Sequence, residues 1–81
     1  MPQINVRLFA AAREAFGTKE LTVSAATLEA LVASLTDDAG PQGRTVISRS
    51  SFLVNSVAAT DRGLALAEGD TVDVLPPFAG G

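Results

Sequence analysis

The chain of 81 residues contains no cysteine and no histidine. Without cysteine it can form no disulfide, offers no thiol nucleophile and builds no thiolate metal site. Without histidine it lacks the usual general base and the commonest metal ligand, so no bound metal is expected. Lysine occurs once, at Lys19. Six cationic residues stand against nine acidic ones, a net charge of −3, which argues against a nucleic-acid partner. No apolar run approaches the length of a membrane span, and nothing ahead of the first strand reads as a signal peptide. The expectation is a cytoplasmic protein with no membrane partner. A self-contained enzyme is not expected from such a residue set. The chain reads as one part of a larger machine, non-catalytic when alone.

What is present suits a folded single domain. Hydrophobic residues make up 47% and charged ones 19%. Residues 3–9 alternate, with Ile4, Val6 and Leu8 on one face and Asn5, Arg7 and Phe9 on the other, the mark of a half-buried strand. Residues 10–16 hold strong helix formers and Gly17 follows as a stop, so a short helix is expected, with Arg13 and Glu14 solvated. A second strand at 19–24 should pair antiparallel with the first. Thr27 is a good N-cap for a longer helix, whose Leu28, Leu31, Val32 and Leu35 form one apolar stripe, extended by Ala39 and ended by Gly40-Pro41.

Residues 40–51 are polar and turn-rich, and read as a long loop with at most a helical turn. Two arginines there, Arg44 and Arg49, are too few to argue an anion site. A third strand at 51–55 ends at an Asn55-Ser56 turn, and 57–60 read as a short edge strand. Leu64 and Leu66 should dip towards the core between turns at 61–63 and 68–70. The last strand, 71–75, has Val72 and Val74 on one face and Thr71, Asp73 and Leu75 on the other. One long helix on a mixed sheet of four to five strands is an α+β arrangement, and a β-grasp (ubiquitin-like) one if the first strand pairs with both the second and the last.

The closing residues, Leu-Pro-Pro-Phe-Ala-Gly-Gly, are the most informative stretch. They divide the chain into a domain over 1–75 and an extended tail over 76–81. Pro76 and Pro77 cannot donate to a sheet ladder and favour an extended, stiff backbone. Six residues so extended reach roughly 20 Å. Gly80 and Gly81 have no side chains, which lets the backbone enter a narrow channel. Phe9 and Leu75 should lie on the sheet face away from the helix, where neighbouring apolar side chains mark a partner interface.

Three stretches together resemble the β-grasp sulfur-carrier proteins, above all the small subunit of molybdopterin synthase. They are LFAAAREAFG at residues 8–17, FLVN at 52–55, and EGD at 68–70 followed by LPPFAGG. The family's tail more often has valine where Phe78 stands. The resemblance implies that the carboxylate of Gly81 is adenylated by a ubiquitin-activating-like enzyme using ATP, and then becomes a thiocarboxylate. It implies that Gly80, Ala79 and Phe78 enter the active site of the large subunit, in a heterotetramer. There the sulfur passes to a pterin precursor for molybdenum cofactor biosynthesis. No cofactor is bound by the carrier itself. Two other readings stay open: a carrier for a cysteine or thiamine pathway, and a ubiquitin-like modifier conjugated through Gly81.

Overall fold

A computed structural model describes residues 1–77. In chain order the elements are β1 (Gln3–Leu8), α1 (Ala10–Phe16), β2 (Glu20–Ser24), α2 (Leu28–Asp38), α3 (Pro41–Arg49), β3 (Ser51–Val54), β4 (Val57–Ala58) and β5 (Thr71–Leu75). The strands form one mixed sheet in the order β2-β1-β5-β3-β4. β1 is antiparallel to β2 and parallel to β5, while β3 is antiparallel to both β5 and β4. The first and last strands therefore lie side by side at the centre. This is the β-grasp arrangement. Among the described residues no helix is long and apolar enough to cross a membrane.

The alternation read from β1 matches its burial: Ile4, Val6 and Leu8 are buried while Gln3, Asn5 and Arg7 are exposed. With Val72 and Val74 of β5 they meet Leu28, Leu31 and Leu35 of α2 in one core. Fully burying each such aliphatic side chain contributes about 1.5–3 kcal/mol. Val32 packs at the edge of this core, and Ala39 stands at the C-cap of α2 instead of extending its stripe.

The start of α2 has no unpaired amide. Thr27 Oγ1 accepts from Ala30 N at 3.2 Å, while Leu28 N and Glu29 N donate to the carbonyls of Leu64 and Arg62. Leu31 N donates to the Thr27 carbonyl. The loop after β4 thus serves as an external cap for donors that a helix cannot satisfy itself. Leu66 is buried as expected, but Leu64 remains 37% exposed.

The segment after α2 departs from the loop reading, for it forms α3, a nine-residue helix. Pro41 sits at N1, where its missing N–H costs nothing. Gly43 is buried, and a Cβ there would come within 2.7 Å of Ala39 Cβ. Pro41, read as part of a helix stop, is instead a helix start, and Gly43 is a close-packing point. Ile47 enters the core and Val46 packs against it.

Two further boundaries differ. β1 stops at Leu8, because Phe9 caps α1 and Ala10 takes a φ of 49°. β4 keeps only two residues of the expected four. Asn55 and Ser56, with φ of 50° and 70°, make the two-residue turn between β3 and β4. Both being left-handed is what a tight hairpin of this twist requires.

Candidate functional site

The site is built on β5, which has a ladder partner on each side. Its N-terminal end is stitched down. Asn55 N donates to the Thr71 carbonyl at 2.8 Å, and Thr71 N donates to Asn55 Oδ1 at 3.0 Å. Asn55 Nδ2 donates to Asp70 Oδ1 at 3.0 Å, and Ala67 N donates to Asp70 Oδ2 at 2.8 Å. The hydrogen bonds from the Ala67 amide and then from Asn55 favour the ionised form and hold the Asp70 carboxyl below its ordinary pKa. The turn is also tied to β1, through Gln3 N to Glu68 Oε1 at 2.8 Å and Asn5 N to the Asp70 carbonyl at 2.9 Å.

The other end of β5 is released. Its pairing with β1 ends at Leu8 opposite Val74, and with β3 at Ser51 opposite Leu75. Pro76 remains buried and Pro77 is exposed, so of the two prolines only Pro77 faces solvent. Phe78, Ala79, Gly80 and Gly81 lie outside the described residues.

On the outer face, Arg7 and Asp73 pair across β1 and β5. Arg7 Nε donates to Asp73 Oδ1 at 2.7 Å and its Nη2 to Oδ2 at 2.8 Å. The carboxylate is largely covered while the guanidinium is half exposed. The hydrogen bonds and charge of Asp73 raise the Arg7 pKa further, which keeps the guanidinium charged. Among the described residues this is the one ion pair. Sequence reading placed both residues on this face but did not join them, since 66 positions separate them.

Phe9 and Leu75 are both half-buried. Phe9 follows Leu8 in extended backbone, and its ring lies 5.6 Å from the Arg7 guanidinium carbon. Leu75 closes β5 opposite Ser51 and follows Asp73 on the same face. Leu53, opposite Asp73 on β3, is half-buried beside them. The end of the sheet that releases β5 is thus edged by Phe9 and Leu75, with Arg7 and Asp73 one step back. Among the described residues no three carboxylates gather into a metal site.

A central strand, stitched at one end and released through two prolines at the other, defines a β-grasp carrier. The chain belongs to the ThiS family, whose model matches residues 6–81, a family of β-grasp sulfur carriers. No curated protein matches the chain significantly in sequence. Among solved structures it is similar to small archaeal modifier protein 1 (SAMP1) from Methanosarcina acetivorans, with 27% identity and a TM-score of 0.85 over 100% of this chain and 98% of that one. It also matches the protein–protein complex of subunits 1 and 2 of the molybdopterin-converting factor from Helicobacter pylori, at 22% identity and a TM-score of 0.76 over 98% and 99%. A third match is the BexX/CysO complex from Amycolatopsis orientalis, at 18% identity and a TM-score of 0.76 over 96% and 99%. The last two likenesses are of fold alone.

Proposed function

We propose that this sulfur carrier serves molybdenum cofactor biosynthesis as the small subunit of molybdopterin synthase, with Gly81 as its working terminus. The observation that carries the reading is that the central strand β5 runs directly into Pro-Pro-Phe-Ala-Gly-Gly, within a family match that extends to Gly81. The particular pathway is favoured by the combination of LFAAAREAFG with PPFAGG, and the fold shared with the Helicobacter pylori converting-factor complex accords with it.

The chemistry follows from the carboxylate. As it stands it is a poor electrophile, because its leaving group would be oxide. Attack of a carboxylate oxygen on the α-phosphorus of ATP expels pyrophosphate and leaves an acyl-adenylate, made by a separate adenylating enzyme. A sulfur nucleophile then displaces AMP, and the resulting thiocarboxylate is an ionised, soft nucleophile. Gly80, Ala79 and Phe78 carry it into the large subunit's active site, where its sulfur bonds to the pterin precursor and water cleaves the acyl–sulfur bond, leaving sulfur on the precursor and Gly81 as carboxylate. Phe9 and Leu75 would bury against that subunit in a heterotetramer.

The test is to load the protein with ATP, its activating enzyme and a sulfur source, and then add large subunit and pterin precursor. The expected mass change is one terminal oxygen replaced by sulfur, reversed only when the precursor is present. Phe9→Ala and Leu75→Ala should each weaken large-subunit binding by roughly tenfold, as expected for interface anchors, with little loss of folding. A thiocarboxylate that the precursor leaves untouched would sink the reading.

A second reading is favoured by one observation: SAMP1 from Methanosarcina acetivorans is named a modifier and shares 27% identity over the whole chain. In that case Gly81 would end in isopeptide bonds to lysines of other proteins. Conjugates across many cellular proteins, with no sulfur passed to the pterin, would put this reading first.

A further inference from the structure

The core-facing residues of β1 and β5 do not fix how these two strands are aligned. Ile4, Val6 and Leu8 lie against Val72 and Val74, and all five are aliphatic and buried. A slip of one residue would turn them to the outer face, but a slip of two keeps every face as it is. Moved two places towards the start of β1, Val72 would stand opposite Ile4 and Val74 opposite Val6. The links at the stitched end hold β1 without identifying its residues. Gln3 N donates to Glu68 Oε1, Gly69 N to the Gln3 carbonyl and Asn5 N to the Asp70 carbonyl, so each uses a main-chain group of β1. Any residue of a strand, proline aside, offers those same groups. Asn55 ties β5 to the turn between β3 and β4, not to β1.

On the outer face one contact is specific. Arg7 and Asp73 stand opposite each other in the ladder and share two hydrogen bonds, at 2.7 and 2.8 Å. Among the described residues no other side-chain pair is hydrogen-bonded between β1 and β5. After a slip of two, Asp73 would face Asn5, and its largely covered carboxylate would lose its cation. Such a carboxylate is strongly unfavourable alone, whereas a well-packed apolar pair would serve stability as well as the ion pair or better. Register is what the charges add. The same guanidinium carbon lies 5.6 Å from the Phe9 ring, so Arg7 contacts the residue that follows β1 as well as the strand that carries the arm. We propose that Arg7 and Asp73 are positioning residues, which set the register of β5 against β1 and so place Leu75 and Pro76 beside Phe9. This rests on the reading of Gly81 as the working terminus and of Phe9 and Leu75 as partner anchors. A slip of two would move the root of the arm by about 7 Å. Transfer that depends on a fixed reach tolerates far less, since a misplacement of about 1 Å can already cost a hundredfold.

The experiment replaces the ion pair by an apolar one, Arg7→Leu with Asp73→Leu, and reads register, stability and binding on the full chain. Amide-to-α-proton NMR contacts between β1 and β5 report the register directly. The double variant should show a second set of contacts, with position 73 opposite Asn5. Its midpoint in chemical denaturation should equal or exceed that of the native chain. If about half the molecules slip, binding to the large subunit should weaken roughly twofold from that cause alone. Arg7→Lys, which keeps a charge for Asp73, should hold the single native register. A double variant that stays wholly in the native register would overturn the proposal, because the register is then set elsewhere. One that fails to fold would overturn it too, because the pair then has a merely structural role. Register and midpoint are read without any partner, so a thiocarboxylate left untouched by the precursor would sink the carrier reading and leave the register result standing.

Discussion

At Thr71 the central strand is held by Asn55, and the turn before it by hydrogen bonds to Gln3 and Asn5. At Leu75, four residues later, the same strand makes its last pairing and passes into proline. The two ends of β5 are built for opposite purposes. On the proposed function, an arm that another protein grips and threads would exert its pull on the strand that carries it. A central strand resists that pull through two ladders, and the stitched end keeps it from sliding. The released end needs the reverse, since every hydrogen bond to the tail would have to be broken before use. One five-residue strand thus joins a heavily hydrogen-bonded turn to the point where, among the described residues, its pairing ends.

The largest effect should come from the released end. Deleting Gly81 should abolish thiocarboxylate loading altogether while the thermal midpoint stays within error of the full chain. A marked loss of stability would show that the tail is packed, and the contrast between the ends would fail. Asn55→Ala should give the opposite pattern. It removes two side-chain hydrogen bonds and leaves alanine at a φ of 50°, so it should cost about 2 kcal/mol in chemical denaturation. Loading of the folded fraction should persist.

A smaller effect is expected from pH. The Asp70 carboxyl is held below its ordinary value, so folding binds it more tightly as the anion. Its contribution is present above the unfolded pKa and is lost as pH falls through the lower folded one. Carbon NMR of the carboxyl should give a midpoint below 3.8, and Asp70→Asn should cost stability at pH 7 but not under strongly acid conditions. A midpoint at or above the ordinary value would remove this stitch from the account. The smallest change is Ser56→Gly, which relieves a φ of 70° in the Asn55-Ser56 turn. It should stabilise by about 0.5 kcal/mol, since Asn-Gly is the preferred pair for such a turn. No gain in the denaturation midpoint would mean the turn is not strained.

Much of this was written locally. The period of two in β1 and β5, the stripe of α2, Thr27 as its cap and Gly17 at φ 73° closing α1 each follow from neighbours within a few residues. These patterns were enough for one long helix on a mixed sheet, because alternation assigns a strand its buried face and a helical stripe assigns the helix its own; the β-grasp itself also needed β1 to pair with β5. The tail's shape was read in the same local way, from prolines that restrict the backbone and glycines that free it, while its chemistry was an implication of the family resemblance.

The tertiary structure decided what depends on residues far apart in the chain. Gly43 weakens the local case for a helix, yet α3 forms. Glycine costs about 1 kcal/mol relative to alanine within a helix. Here it permits the approach to Ala39 that a Cβ would block, and the burial of Ile47 repays the loss. The partner of Asp73 was likewise invisible until β1 and β5 lay in register and brought Arg7 opposite it. Asn55 read as a turn residue and proved to be the stitch for β5 as well. Local sequence fixes a residue's own backbone preference and face; only packing decides which distant residue comes to meet it.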